Sequence, residues 1–291
     1  MQNFPLVSVI CLCYNHEEYV VEALNSVINQ AYPNIELLIA DDFSSDNSVS
    51  VIKSWLESHP DITFITNETN LGNTKTFNTL AKIATGEYII DLAADDILLP
   101  NCVEKQVTTF QNSGYKKLGI VYGNLIEIEA NGNFLRNYYT NEDEPKSGDI
   151  YKMVIGRTTK ICSVSSMIKK SVLEKSDFYD ENLDYEDLDL WIRVSRNFEF
   201  EYIPEVLTKK RVLSNSLSSH FLFKNNSKTK KLNTSTLKIL IKAYNLNQSK
   251  EEHKALLGRI RFEMYKFIKA RNFILLFKLL VLEIKVRIKS Y

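Results

Sequence analysis

Residues 7–15 read Val7-Ser8-Val9-Ile10-Cys11-Leu12-Cys13-Tyr14-Asn15. The run up to Cys13 is apolar at almost every position, which suits a strand covered on both faces. Residues 17–29 follow with Val20, Val21, Leu24, Val27 and Ile28 at helical spacing, and Asn15 is available as a cap. The alternation continues. Residues 35–40, 62–65, 88–92 and 118–122 read as strands, and residues 49–56, 74–84 and 102–110 as helices. Buried strands separated by amphipathic helices predict βαβ units and a mainly parallel, Rossmann-like α/β sheet. In such sheets ligands sit beyond the carboxyl ends of the strands, so the residues just after each strand carry the chemistry.

Farther along, Asn131-Gly132 marks a turn between residues 125–129 and 134–136, a predicted hairpin. Residues 141–148 read as an exposed acidic loop. Residues 162–168 read as a strand entering a helix at 171–175, residues 186–196 as a helix and 198–203 as extended. Beyond His220 the chain is Lys- and Asn-rich, then helical, with the best boundary at 224–231. The expected division is a catalytic domain over 1–220 and a basic helical extension over 221–291.

Composition excludes several classes. The chain has 291 residues, 44% hydrophobic and 25% charged, with 36 basic and 36 acidic residues. That is a globular mix, and its zero net charge gives no reason to expect nucleic acid. Cys11, Cys13, Cys102 and Cys162 form no C-x-x-C pair and read as buried thiols in a reducing compartment. The N-terminus shows no secretory signal, and the longest apolar run, 273–284, is broken by Lys278 and Glu283. A cytoplasmic location is expected. No G-x-G-x-x-G follows Cys13, and no P-loop motif occurs. The four histidines, His16, His59, His220 and His253, are scattered and form no zinc pair.

Three acidic pairs fall where a ligand is expected: Asp41-Asp42, Asp95-Asp96 and Glu186-Asp187. Each alone also reads as a turn, a loop start or first-turn helix charge. Together at one sheet edge they would repel unless a cation compensates, which points to a divalent Mg or Mn serving a phosphate group.

These residues resemble the family 2 glycosyltransferases, which have the GT-A fold. The first strand through Asn15 is similar to that family's V-S-V-I-I-P-T-Y-N. Ile39-Ala40-Asp41-Asp42-Phe43-Ser44-Ser45-Asp46 is similar to its V-V-D-D-G-S-T-D. Asn70-Leu71-Gly72, residues 84–89, Ala94-Asp95-Asp96 and the stretch from Phe178 to Arg193 match further segments. The resemblance implies an inverting transfer of a sugar from a nucleotide donor, a UDP-sugar by the Asp42 pattern, to a hydroxyl of a saccharide or lipid-linked acceptor. It implies that Tyr14 stacks on the base, that Asn15 and Asp42 bind the donor, and that Asp96 with Asp95 holds the metal. Lys75 and Arg211 would neutralise the diphosphate. Asp187 would be the general base with Glu186 beside it. Trp191 would be either core or an acceptor platform. The sequence departs from the pattern at Ala93, where an acid is usual, at Phe77, where an Arg is common, and at Leu213, where a His is common. Those departures keep a second class open, a non-catalytic sugar-nucleotide binder or scaffold. A nucleotidyltransferase would want a Gly-rich basic segment where Asn15-His16-Glu17-Glu18 stands.

The neutral total hides a split. Residues 221–291 hold 17 Lys and Arg against 4 Asp and Glu, leaving 19 against 32 in residues 1–220. A basic, apolar, helical stretch over 255–291 suggests an interfacial helix on an anionic membrane surface. A helical cap on the acidic part or on a second subunit fits equally, and the alternation over 284–289 permits a strand.

Overall fold

The computed structural model describes residues 4–140, 145–157, 160–213 and 226–291. His220, the centre of the 141–148 loop and the boundary proposed at 220 lie outside the described residues. The chain forms two compact units. One comprises Met1–Gly148, Ile161–Tyr179 and Phe198–Val212; the other comprises Asp149–Lys160, Asp180–Asn197 and Leu213–Tyr291.

The first unit holds a nine-stranded sheet among the described residues. Strand β1 (Val7–Cys13) lies between β2 (Ile35–Asp41) and β4 (Tyr88–Ala93), parallel to both, with Cys13 level with Asp41 and Leu12 level with Ala93. Next outward from β2 is β3 (Thr63–Thr66), also parallel. Six of the seven β1 residues are buried because helices α1 (Val20–Ile28), α2 (Ser48–Leu56), α3 (Asn73–Ile83) and α4 (Cys102–Asn112) leave no open face. Val9, Cys11, Leu24, Ile39, Ile52, Ile90 and Val103 form the centre of this core, each at 1% exposure or less. Burial of each aliphatic side chain among them contributes about 1.5–3 kcal/mol.

Beyond β4 the sheet becomes mixed. The order continues from β4 through β8 (Ser166–Lys169), β6 (Leu118–Ile128) and β9 (Glu199–Arg211) to β5 (Ile97–Leu98), with β8 antiparallel to both neighbours. The expected hairpin is present as β6 (Leu118–Ile128) against β7 (Phe134–Asn137), joined through Gly132 at φ +87°. Two strands run well past their expected ends. β6 reaches Ile128, and β9 (Glu199–Arg211) continues through Pro204 by skipping the pairing from Ile203 to Val206. A bulge is where a strand tolerates a residue without an N–H. The two-residue β5 (Ile97–Leu98) pairs with β9 and carried no periodic signal. Part of the 162–168 stretch is a 3₁₀ turn, Ser163–Ser165, ahead of β8, and α6 (Lys170–Lys175) follows.

The second unit is helical: α5 (Tyr151–Gly156), α7 (Asp187–Ser195), α8 (Ser227–Leu246), α9 (Lys250–Lys269) and α10 (Phe273–Ser290). Asn226 caps α8 by accepting from the Thr229 N–H, and Ser249 with Glu252 forms a capping box on α9. The strand-like alternation over 284–289 resolves as helix. Leu275, Leu279, Leu282 and Val286 are buried at helical spacing, and Glu283 pairs with Arg287 one turn on.

A cut at residue 220 does not follow these units, because residues 180–197 belong with the tail. Lys242 of α8 donates to Asp180 at 2.5 Å and to Asp189 at 2.7 Å. Asp184 N–H and Ser235 Oγ bond at 2.9 Å, Tyr185 and Thr236 share a hydroxyl bond at 2.8 Å, and Arg196 donates to Glu252 at 2.7 Å. All four cysteines are free and buried. Burial pushes the Cys13 and Cys102 thiols up to about 12, so neither is a nucleophile at neutral pH. No helix among the described residues is long and apolar enough to cross a membrane.

Candidate active site

The carboxyl ends of β1, β2 and β4 carry three loops in the first unit. After β1 come Tyr14 and Asn15. Tyr14 is 47% exposed, and Asn15 takes φ +57°, a left-handed turn that Asn tolerates better than most residues. The Asn15 N–H donates to Ser44 Oγ at 2.8 Å, and its side-chain carbonyl accepts from the Ser45 N–H at 2.7 Å. His16 N–H and Glu17 N–H donate to Ser48 and Asp46 at 3.0 and 3.1 Å. The segment after β1 is therefore stitched to the segment after β2. Asp41, fully buried, holds that second segment by accepting from the Ser44 N–H and hydroxyl.

Asp42 is 6% exposed and organises a third loop. Its carboxylate accepts from Asn67 Nδ2, the Leu71 and Gly72 N–H groups and Thr76 Oγ1, at 2.8–3.0 Å. Gly72, the N-cap residue of α3, takes φ +85°, a conformation that side-chain-bearing residues rarely adopt. Lys75 sits exposed in the first turn of that helix.

After β4, Asp95 and Asp96 have different surroundings. The Asp95 carboxylate is 12% exposed and faces His16 Nδ1 at 3.8 Å. Asp96 is 3% exposed and accepts from the Arg211 N–H at 2.9 Å. Burial first, and then the neighbouring Asp95 charge, push the Asp96 carboxyl well above the usual range. The structure thus turns Asp96 inward and leaves Asp95 as the more open carboxylate, the reverse of the weighting expected from sequence.

Arg211 is also turned inward, at 3% exposure. Its guanidinium donates to Glu22 at 2.6 Å and to the carbonyls of Ala130, Glu129 and Asp95 at 2.8, 3.2 and 3.2 Å, and it lies over the Tyr19 ring. It braces the Asp95–Asp96 loop, and its donors are engaged internally, so a diphosphate-facing role does not fit it. Asp91, one pleat below Ala93, accepts from the Tyr179 hydroxyl at 3.0 Å. Burial pushes its carboxyl up to about 7 despite that bond.

In the second unit Glu186 is the N-cap residue of α7 and Asp187 its first residue, with Asp187 Oδ1 accepting from the Leu188 N–H at 2.6 Å. Negative charge is favoured at a helix N-terminus. Trp191, in the same helix, is buried at 6% exposure.

Among the described residues, no group of three or more His, Cys, Asp or Glu side chains is placed to hold a metal ion. Asp95 offers an open oxygen, and the buried His16 Nδ1 facing it has no hydrogen-bond partner. The Asp95 oxygen suits a divalent cation that arrives with phosphate oxygens of its own, as Mg²⁺ commonly does, while the His16 nitrogen is a donor for a softer ion. His16, Asn67 and Thr76 join these loops only in the folded chain. His16 had a positional signal, since it directly follows Asn15 beyond a strand end. Asn67 and Thr76 had none, because only the folded loop brings them to Asp42.

The model of the family described as Glycosyl transferase family 2 matches residues 8–176, more than half the chain. An uncharacterized glycosyltransferase of Methanocaldococcus jannaschii is 31% identical over 211 residues, 72% of this chain and 71% of its own length. The poly-beta-1,6-N-acetyl-D-glucosamine synthase of Staphylococcus epidermidis is 30% identical over 209 residues, 71% of this chain and 50% of the synthase. Crystalline S. aureus TarS 1-349 in complex with UDP-GlcNAc gives a TM-score of 0.68 at 17% identity, covering 92% of this chain and 74% of that one. The mannosyltransferase PcManGT of Pyrobaculum calidifontis, in complex with GDP-Man and Mn²⁺, gives 0.65 at 17% identity, covering 93% and 74%. The GT-A fold expected from sequence is shared with these structures. The chain belongs to glycosyl transferase family 2 and is a glycosyltransferase.

Proposed function

We propose that this glycosyltransferase moves a sugar from a UDP-sugar to a hydroxyl of a saccharide or lipid-linked acceptor, with inversion, in bacterial surface-polysaccharide synthesis. The observation that carries the reading is the convergence of Tyr14, Asn15, Asp42 and Asp95 at the carboxyl ends of three adjacent parallel strands. The UDP-GlcNAc bound to the structural neighbour TarS and the polymer made by the staphylococcal synthase support a nucleotide donor and a polysaccharide product.

The exposed Tyr14 ring stacks on the base. Asp42 holds the 67–76 loop beside it, and its Oδ2, bonded to the Gly72 N–H, keeps a lone pair for a base N–H. Asp95, with His16 beside it, would hold Mg or Mn at the donor diphosphate, and that cation would offset the charge of the leaving group. Lys75 adds a cation from the first turn of α3. Asp187 is the general base, on the warrant of its motif and its place at a helix start. It takes the acceptor hydroxyl proton as that oxygen bonds to the anomeric carbon and the bond to the diphosphate oxygen breaks. Arg211 positions the Asp95 loop. The acceptor lipid would bring the enzyme to the inner face of the cytoplasmic membrane as a peripheral protein.

The test is a panel of UDP- and GDP-sugars, assayed for transfer and hydrolysis with and without Mg or Mn. Metal-stimulated turnover of a UDP-sugar is expected. Asp187→Asn should abolish transfer and leave donor affinity within about twofold. Turnover retained in that variant overturns the assignment of the base.

A further inference from the structure

Helix α10 has two apolar faces, and only one is used by the fold. Leu275, Leu279, Leu282 and Val286 are buried, none more than 6% exposed. Phe273, Phe277, Leu280, Val281, Ile284 and Ile288 are 39–73% exposed. At about 100° per residue the two sets fall on opposite sides of the helix. The exposed set is bordered by Lys278, Lys285 and Lys289 along one edge and by Arg287 along the other, all exposed. The one acid on the helix, Glu283, is turned inward and bonded to Arg287 at 2.6 Å. The outer face of α10 therefore presents apolar and cationic groups and no carboxylate.

We propose that this face is an interfacial helix that lies in the plane of an anionic lipid surface. Its apolar stripe enters the acyl boundary while the flanking cations meet lipid headgroups. The inference rests on the peripheral placement proposed above, and not on the transfer chemistry. Charge selects lipid over a second copy of the chain. A two-fold contact through this face would oppose its own cation rows with no acid on the outer face of α10 to answer them. The helix does not meet the length and apolarity needed to span, so it lies along the surface.

The test uses the full chain with vesicles of phosphatidylcholine alone and of phosphatidylcholine with phosphatidylglycerol. Sedimentation with the anionic vesicles, weak sedimentation with the neutral ones, and release by raised salt are expected. The double variant Phe277→Ser/Ile284→Ser should bind at least tenfold less while keeping its circular dichroism and melting temperature. Lys278→Glu/Lys285→Glu keeps the stripe and should lose the preference for anionic vesicles. No binding to anionic vesicles, or binding equal in the first double variant, overturns the proposal. So does a solution dimer that this variant dissolves. Transfer to a soluble saccharide should persist in both variants, which separates failure here from failure of the proposed chemistry.

Discussion

The Lys242 ammonium donates to Asp189 at 2.7 Å, from helix α8 to the first turn of the helix that begins with Asp187. Asp189 is 1% exposed and also accepts from Arg193 at 2.7 Å. Lys242 bonds Asp180 too, so one side chain of the basic tail holds both ends of the segment that carries the proposed base. Lys242→Met should lower stability by roughly 1–3 kcal/mol, since Arg193 still compensates the buried Asp189 charge. It should lower kcat more than it raises donor KM, because Asp187 would be displaced while the donor loops stand in the other unit. A change confined to donor KM would contradict this.

The same contact makes a pH prediction. Burial acts to raise the Asp180 carboxyl, but the Lys242 ammonium and the Asn182 donors outweigh it and bring it down to about 2. The folded carboxyl is thus more acidic than the unfolded one, near 4. Its stabilising contribution is complete above about pH 4 and is lost as pH falls towards 2. Denaturant midpoints of wild type and Lys242→Met should therefore converge as the pH is lowered through that window.

Asp95 and Asp96 should separate in mutagenesis. Asp95→Asn removes the open oxygen that faces His16 and should abolish metal stimulation with a stability change within about 0.5 kcal/mol. Asp96→Ala leaves the buried Arg211 N–H without its acceptor and should cost about 1–3 kcal/mol. Thermal melts and the Mn dependence of donor hydrolysis measure the two. A stable Asp96→Ala protein that has lost its metal response would return the ligand role to Asp96.

Asp91 runs in the opposite pH sense from Asp180. With its carboxyl pushed up to about 7 by burial, the folded chain keeps a proton that the unfolded chain has lost above about pH 4. Stability should fall as pH rises from about 4 to 7, where the folded state binds more protons. Asp91→Asn keeps an acceptor for the Tyr179 hydroxyl and should flatten that slope. Denaturant midpoints in chelator across that range test it.

Much of the first unit was legible because its signals are local. The β1 and β2 runs are apolar on both faces, and the residues after each strand are where Tyr14, Asp42 and Asp95 stand. The strand-like reading of 284–289 failed because a short alternation cannot be told from a helix until Leu279 and Val286 find a common partner face. The inward turn of Arg211 was illegible for a different reason. Its partners Glu22, Ala130 and Asp95 are scattered along the chain and meet only when β9 closes on β6. The contacts that tie residues 180–197 to the tail include single polar side chains, Lys242, Ser235 and Glu252, which in sequence look like solvated helix faces.

Phe43 makes the last prediction, because its backbone and its side chain ask for different residues. It takes φ +66°, an outlier for a bulky side chain, where the family motif has Gly. Asp41 enforces the turn by accepting from the Ser44 N–H at 2.8 Å. Strain of this kind costs about 1–3 kcal/mol, and the greater chain entropy of Gly offsets about 0.5–1 kcal/mol of any relief. Phe43→Gly should therefore raise stability by roughly 1 kcal/mol, since a ring 55% exposed gives up little packing. The same change removes one of two exposed rings at the carboxyl ends of β1 and β2, Tyr14 being the other, and should raise donor KM several-fold. Melting temperature and donor KM are read on one protein. A gain in stability with KM unchanged would free Phe43 of any part in donor binding, and a loss of stability would show that the ring is held by contacts worth more than the strain.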